Sequence, residues 1–191
     1  MVRRPLLRVA TIGLSMLAAV AGCSGGPGGP GGSGRGERSG ATADEWAARV
    51  CGALAPWRKQ ITDLNAQTQR QITASSTPEQ AKSQLLELLA GGQTASEAAR
   101  AAVVAAGMPD VEGGDEVADR FTATLAGARD AYTHAHGDLQ ALPVQDAKAF
   151  YDGVVAVLTR LNQEYTAGGL DPSRLESPEL RRAFDGALQC R

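Results

Sequence analysis

Apolar residues in this chain recur in steps of three and four from about residue 42 onward, the signature of amphipathic helices with one face turned to a core. The first run carries Trp46, Val50, Leu54, Trp57, Ile61 and Leu64, with Ile72 continuing it less regularly. It opens at Thr42 with Glu45 three residues on, the spacing of a capping box. Pro56 lies inside it and removes one backbone donor; its ring crowds the carbonyl of Gly52, where a glycine can give way. The pattern therefore predicts one bent helix.

A second run opens at Thr77-Pro78-Glu79-Gln80, again a cap with proline at the first helical position. It carries Leu85, Leu88 or Leu89, then Ala95, Ala99 and Val103, and the pair Gly91-Gly92 is a candidate break or kink. Gly107 and Pro109 stop it. A third run, from Asp115, places Val117, Phe121, Leu125, Ala128, Tyr132, Ala135, Leu139 and Leu142 on one seam, which Pro143 ends. The fourth starts near Val144 and carries Phe150, Val154, Val157 or Leu158, Leu161 and Tyr165, closing at Gly168-Gly169. A short fifth begins at Ser177-Pro178-Glu179 and is expected to bury Leu180, Phe184 and Leu188. No stretch alternates with period two for long enough to be a strand. The expected fold is all-α: an up-down bundle of four long helices plus a short C-terminal helix.

The first 41 residues follow different rules. Arg3, Arg4 and Arg8 form a positive start, and Val9 to Gly22 supply 14 uncharged residues. That run is too short to span a bilayer, which takes about 20 residues, but it suits the apolar region of a secretory signal. It ends Val20-Ala21-Gly22-Cys23, which looks like the lipobox of bacterial lipoproteins. The likeness implies transfer of a diacylglyceryl group to Cys23, cleavage before it, and a palmitate-type anchor. Two acyl chains, at about 0.8 kcal/mol per buried CH₂, anchor almost permanently where one does not. Residues 1–22 are thus read as a lipoprotein signal peptide. Residues 23–41 are read as the lipidated cysteine and a flexible linker, and 42–191 as the helical domain. From Ser24 to Ala41 half the positions are glycine, and no apolar side chain exceeds alanine or proline in size. Such a segment cannot bury enough surface to offset ordering entropy. As a coil it spans about 24 Å, taking 5–6 Å × √n.

Composition narrows the partners. Removing Arg3, Arg4 and Arg8 from the 19 basic residues leaves 16 against 21 acidic, a net −5 for the mature part. A mildly acidic chain without a Lys/Arg stripe argues against nucleic acid and against a polybasic membrane face. Aromatics make up 4% of residues and alanine is abundant, which suits closely approaching helices. With Cys23 assigned to lipid, Cys51 and Cys190 remain. An exported pair in an oxidising compartment normally forms a disulfide, and one closing a loop this long stabilises by about 5 kcal/mol in the chain-entropy model.

Val50-Cys51 with Pro56-Trp57, the turn Ala106-Gly107-Met108-Pro109, the helix around Phe150 and the terminal Cys190 together resemble a family of small secreted proteins and lipoproteins of actinobacteria. The resemblance covers about Asp44 to Cys190. It implies helices, export and the disulfide; members of that family carry no assigned activity, so it implies no catalytic residue.

Catalytic chemistry has little to stand on. His134 and His136, two apart on one helix, point in different directions. Asp130, His134 and Asp138 share a face at four-residue steps, a three-ligand edge for zinc in principle, but the seam at Leu125, Ala128, Tyr132 and Leu139 turns that face to solvent. Asp115, Glu116 and Asp119 are acidic residues favouring a helix N-terminus. Neither a Gly-x-Ser-x-Gly turn nor a phosphate-cradling glycine loop is present. The expectation is a non-enzyme with no catalytic residue, metal or cofactor, held at the extracytoplasmic face of the cell membrane by its lipid. Two function classes survive. The first, which composition favours, docks a protein or envelope partner; the second binds a small apolar or amphipathic ligand between its helices. They separate on one observation. Either Trp46, Trp57, Phe121, Tyr132, Phe150 and Phe184 pack into a dry core, or several of them line one cavity of at least about 300 Å³.

Overall fold

A computed structural model describes residues 40–167 and 175–190. The signal segment, Cys23, most of the linker and the Gly168-Gly169 stop lie outside the described residues. Five helices pack against one another: α1 (Ala43–Gln71), α2 (Pro78–Ala105), α3 (Gly114–Ala141), α4 (Ala147–Ala167) and α5 (Pro178–Gly186), followed by a 3₁₀ turn at Leu188–Cys190. Among the described residues there is no strand, only an isolated bridge between Ala41 and Pro109. That bridge brings Gly40 and Ala41 into the fold: Ala41 N–H donates to the Met108 carbonyl at 3.2 Å, and Asp110 N–H donates back to the Ala41 carbonyl at 2.7 Å.

The helix starts follow their caps. Thr42 and Glu45 exchange backbone and side-chain hydrogen bonds at the head of α1, as do Thr77 and Gln80 at the head of α2. Each box satisfies two otherwise orphaned donors, an effect of about 1 kcal/mol per cap. α1 runs through Pro56 as one helix, and Gly52 has open space around it. At the far end of α2 the chain turns at Gly107, whose φ of 74° favours glycine.

α2 does not break at Gly91-Gly92. The glycines are notches for neighbouring side chains: a Cβ on Gly92 would lie 2.5 Å from the Tyr132 ring, and one on Gly91 would lie 2.8 Å from a methyl of Leu64. The fifth helix also ends earlier than its pattern suggests. It stops at Gly186, and the 3₁₀ turn that carries Cys190 inward leaves Leu188 73% exposed while Leu180 and Phe184 are buried.

The closest backbone packing is between α2 and α3, followed by α1 with α2, α3 with α4 and α1 with α5. The backbones of α1 and α4 scarcely approach each other. Buried residues form two clusters. One gathers Trp46, Val50, Leu54, Phe121, Leu125, Leu180 and Phe184; the other gathers Leu85, Leu89, Tyr132, Leu139, Phe150, Val154 and Val157. Val157, not Leu158, is thus the core residue of that turn of α4, and Leu89, not Leu88, that of α2.

Candidate functional site, a cleft between the first and fourth helices

The two cysteines left after Cys23 meet. Cys51 on α1 and Cys190 on the terminal turn form a disulfide, with Cα atoms 4.9 Å apart across 139 positions of sequence. Leu180 and Phe184 bring α5 onto the first cluster, and the disulfide fastens the residues that follow it.

Inside that cluster Trp46 is fully buried and its indole N–H donates to the Gly107 carbonyl at 2.8 Å. Its ring meets Phe121 and Phe184 edge-on at 5.6 and 5.8 Å, and those two rings stack on each other at 5.5 Å. Each such pair adds about 0.5–1.5 kcal/mol beyond area burial. Trp46 has no surface open to solvent.

Three turns further along α1 the picture changes. Trp57 is half-buried and donates its N–H to the Ser96 hydroxyl at 3.2 Å; Ser96, fully buried, donates its own O–H to the Gly92 carbonyl at 2.8 Å. The Trp57 ring stacks on Tyr165 of α4 at 6.2 Å, and Tyr165 meets Tyr132 of α3 edge-on at 6.2 Å. Burial pushes the phenol of Tyr132 up to about 12, with Tyr165 a lesser contributor, and burial also raises that of Tyr165. Both rings stay neutral at physiological pH.

These rings stand between two cavities that separate α1 from α4. The first, about 390 Å³, is lined by Leu54, Trp57, Phe121, Tyr165 and Phe184, with Cys190 and Arg58 also on its wall. The second, about 430 Å³, is lined by Ile72, Leu85, Leu88, Tyr132, Leu158 and Leu161, with Asn65, Thr68 and Gln69 supplying an edge of polar groups from α1. Asn65 is turned back onto its own helix and donates to the Ile61 carbonyl. Of the six large aromatic residues that separate the two function classes, Trp57, Phe121 and Phe184 share the first cavity and Tyr132 borders the second. Trp46 and Phe150 are fully buried and line neither.

Asp130, His134 and Asp138 each take a different partner. Arg129 binds Asp130 at 2.8 Å, His134 Nδ1 lies 3.0 Å from Glu164, and Arg160 reaches Asp138 at 3.2 Å and Glu164 at 2.7 Å. Hydrogen bonds from His134 and then Arg160 hold the Glu164 carboxyl below its ordinary range. Arg129 and Asp130 pair within α3, while the His134–Glu164 and Arg160–Asp138 contacts tie α3 to α4. Among the described residues no three His, Cys, Asp or Glu side chains are grouped to hold a metal ion, and no helix is long and apolar enough to cross a membrane.

Two features escape the sequence pattern. Ser96 sits in an alanine-rich stretch where nothing distinguishes it from a solvent-facing serine, and Arg58 is a charged residue on an exposed turn. The signal for both is adjacency to Trp57, in space for Ser96 and in sequence for Arg58. No protein-family model, curated protein or solved structure matches this chain.

Proposed function

We propose that this chain is an extracytoplasmic lipoprotein, anchored through Cys23, whose helical domain binds an apolar or amphipathic small molecule in the α1–α4 cleft. In this reading the four long helices form an up-down bundle left open along the edge where α1 faces α4. One observation carries it: Trp57, Phe121 and Phe184 line a single cavity of about 390 Å³, within the size range of small-molecule sites. Large apolar side chains around a space of that size hold an apolar guest at the expense of ordered water. A tether of about 24 Å would keep the cleft near the membrane without pressing it onto headgroups.

The experiment is native mass spectrometry of protein purified from its own membranes, where a stoichiometric lipid or small molecule should survive desalting. Protein that runs at its apo mass in every preparation sinks the reading. Anchoring is tested separately. Cys23→Ala should release the protein or leave uncleaved precursor, and should abolish metabolic palmitate labelling; unchanged membrane retention with an unlabelled wild type removes the lipoprotein part.

Docking of an envelope protein is the second reading, favoured by one feature of α4. Tyr151, Val155 and Leu158, spaced as one helical face, are 39%, 66% and 37% exposed. Val155→Asp should abolish capture of such a partner while leaving ligand retention unchanged, which separates the two functions.

A further inference from the structure

Among the described residues on the wall of the cavity beside Trp57, one side chain is charged. Arg58 follows Trp57 on α1, and its guanidinium has neither a carboxylate partner nor a hydrogen bond among the described residues. The next residue on α1, Lys59, is engaged, holding Asp63 at 2.6 Å. Three other polar groups on the same wall already donate within the protein, while the Tyr165 phenol stands beside them as a neutral donor. Thr124 donates to the Arg120 carbonyl at 2.9 Å, Thr166 to the Asn162 carbonyl at 2.8 Å, and the Trp57 N–H to Ser96. An apolar cavity with one free guanidinium is complementary to an apolar chain ending in one negative charge.

Resting on the ligand-binding reading above, we propose that the cleft takes a long-chain carboxylate, its alkyl chain against Leu54, Trp57, Phe121 and Phe184 and its head on Arg58. The planar fork of a guanidinium matches a carboxylate in a bidentate pair. A phosphate dianion would call for a second cation, and the described residues of the cavity wall supply none. At about 390 Å³ the space lies at the small end of ligand sites, which fits one chain better than two.

Calorimetric titration of the folded protein with decanoate and with decan-1-ol, which share a chain and differ in the head, tests this. Wild type should bind decanoate about tenfold more tightly than the alcohol, the effect of one charge-assisted hydrogen-bonded pair. Arg58→Gln, at an exposed position, should keep the melting temperature, bring decanoate down to the level of the alcohol and leave the alcohol unchanged. Equal binding of acid and alcohol to wild type, or an acid preference that survives in Arg58→Gln, overturns the carboxylate assignment and leaves the cleft reading standing. If neither compound binds, the cleft reading falls and the carboxylate with it.

Discussion

Trp46 and Trp57 are the same residue on the same helix, eleven positions apart, which at 100° per residue returns them to nearly the same face. Trp46 is fully buried against Phe121 and Phe184, on the side of the fold where α5 and the Cys51–Cys190 disulfide pack onto α1. Trp57 stacks on Tyr165, with an open cavity beside the pair. The difference lies in what each ring meets. α2 and α3 come close because glycine and alanine line their seam, and Gly92 accepts the Tyr132 ring directly. α1 and α4 meet through two large rings, which hold the helices apart and leave cavities on either side. Small residues close a seam, and a pair of stacked aromatics props one open.

The sharpest way to break this comparison is to truncate both rings. Trp46→Ala leaves a void in a sealed, fully buried site and should lower unfolding free energy by about 3–5 kcal/mol. Trp57→Ala removes a half-buried ring from beside existing space and should cost about 1–2 kcal/mol. Urea denaturation of both variants gives the two values. Equal losses would mean that the cleft is as tightly packed as the sealed end, and the distinction drawn above would be wrong.

Next in size is the disulfide, which belongs to both regions: Cys51 is fully buried in the sealed cluster while Cys190 lines the cleft. Cys51 and Cys190 should show no free thiol on alkylation and mass measurement of the exported protein. Reduction should destabilise by about 2–5 kcal/mol, loosen the terminal turn and open the first cavity. Two labelled thiols in native protein would remove the fastening that explains why this end is closed.

Helix ends and seams were legible because each rests on local chemistry, and the cysteine pair because only two cysteines remain once Cys23 is set aside. Thr42 with Glu45, Thr77 with Gln80, and Gly107 with Pro109 act within four residues of themselves. Every large apolar residue placed on the third seam from Val117 to Leu139 is buried. What could not be read depends on partners distant in sequence. Gly91-Gly92 looks like a helix breaker until Leu64 and Tyr132 arrive from other helices to fill the notches. Leu188 continues the apolar spacing of Leu180 and Phe184, but the chain must leave the helix to carry Cys190 to Cys51, and that turns Leu188 outward. The cleft is hidden for the same reason. Trp57 and Tyr165 both sit on well-formed seams, and a seam pattern says which face is apolar without saying how near the facing helix comes.

The glycine notches give the third test. Alanine normally favours a helix over glycine by about 1 kcal/mol, so a plain helix position would gain from the change. Gly92→Ala should instead destabilise, by about 1–3 kcal/mol, because its new methyl would overlap the buried Tyr132 ring and force it out of its packed position. Gly91→Ala meets the flexible end of Leu64 and should be close to neutral. Melting temperatures of the two variants decide it. A stabilised Gly92→Ala protein would mean that α2 and α3 do not need their close approach.

The smallest effect lies at the charged rim of the same α2–α3 seam. Glu97 on α2 is held by Arg100 at 2.6 Å and by Arg129 of α3 at 3.0 Å. The hydrogen bond from Arg100, then that from Arg129, brings its carboxyl down to about 2 from an ordinary value of 4.5. Folding therefore favours the ionised form. Its contribution is complete above about pH 4.5, and it is lost as pH falls toward 2, where the native carboxylate also takes up a proton. The group is exposed, so solvent screens it and the effect is modest. Glu97→Gln should lower the urea midpoint at pH 7 by a small amount. The difference from wild type should shrink as the pH is lowered from 4.5 toward 2, and 1 M salt should reduce it at any pH. A difference that stays constant across that window would mean the variant acts through packing, and that the ion pair between α2 and α3 adds nothing to a seam its small residues already close.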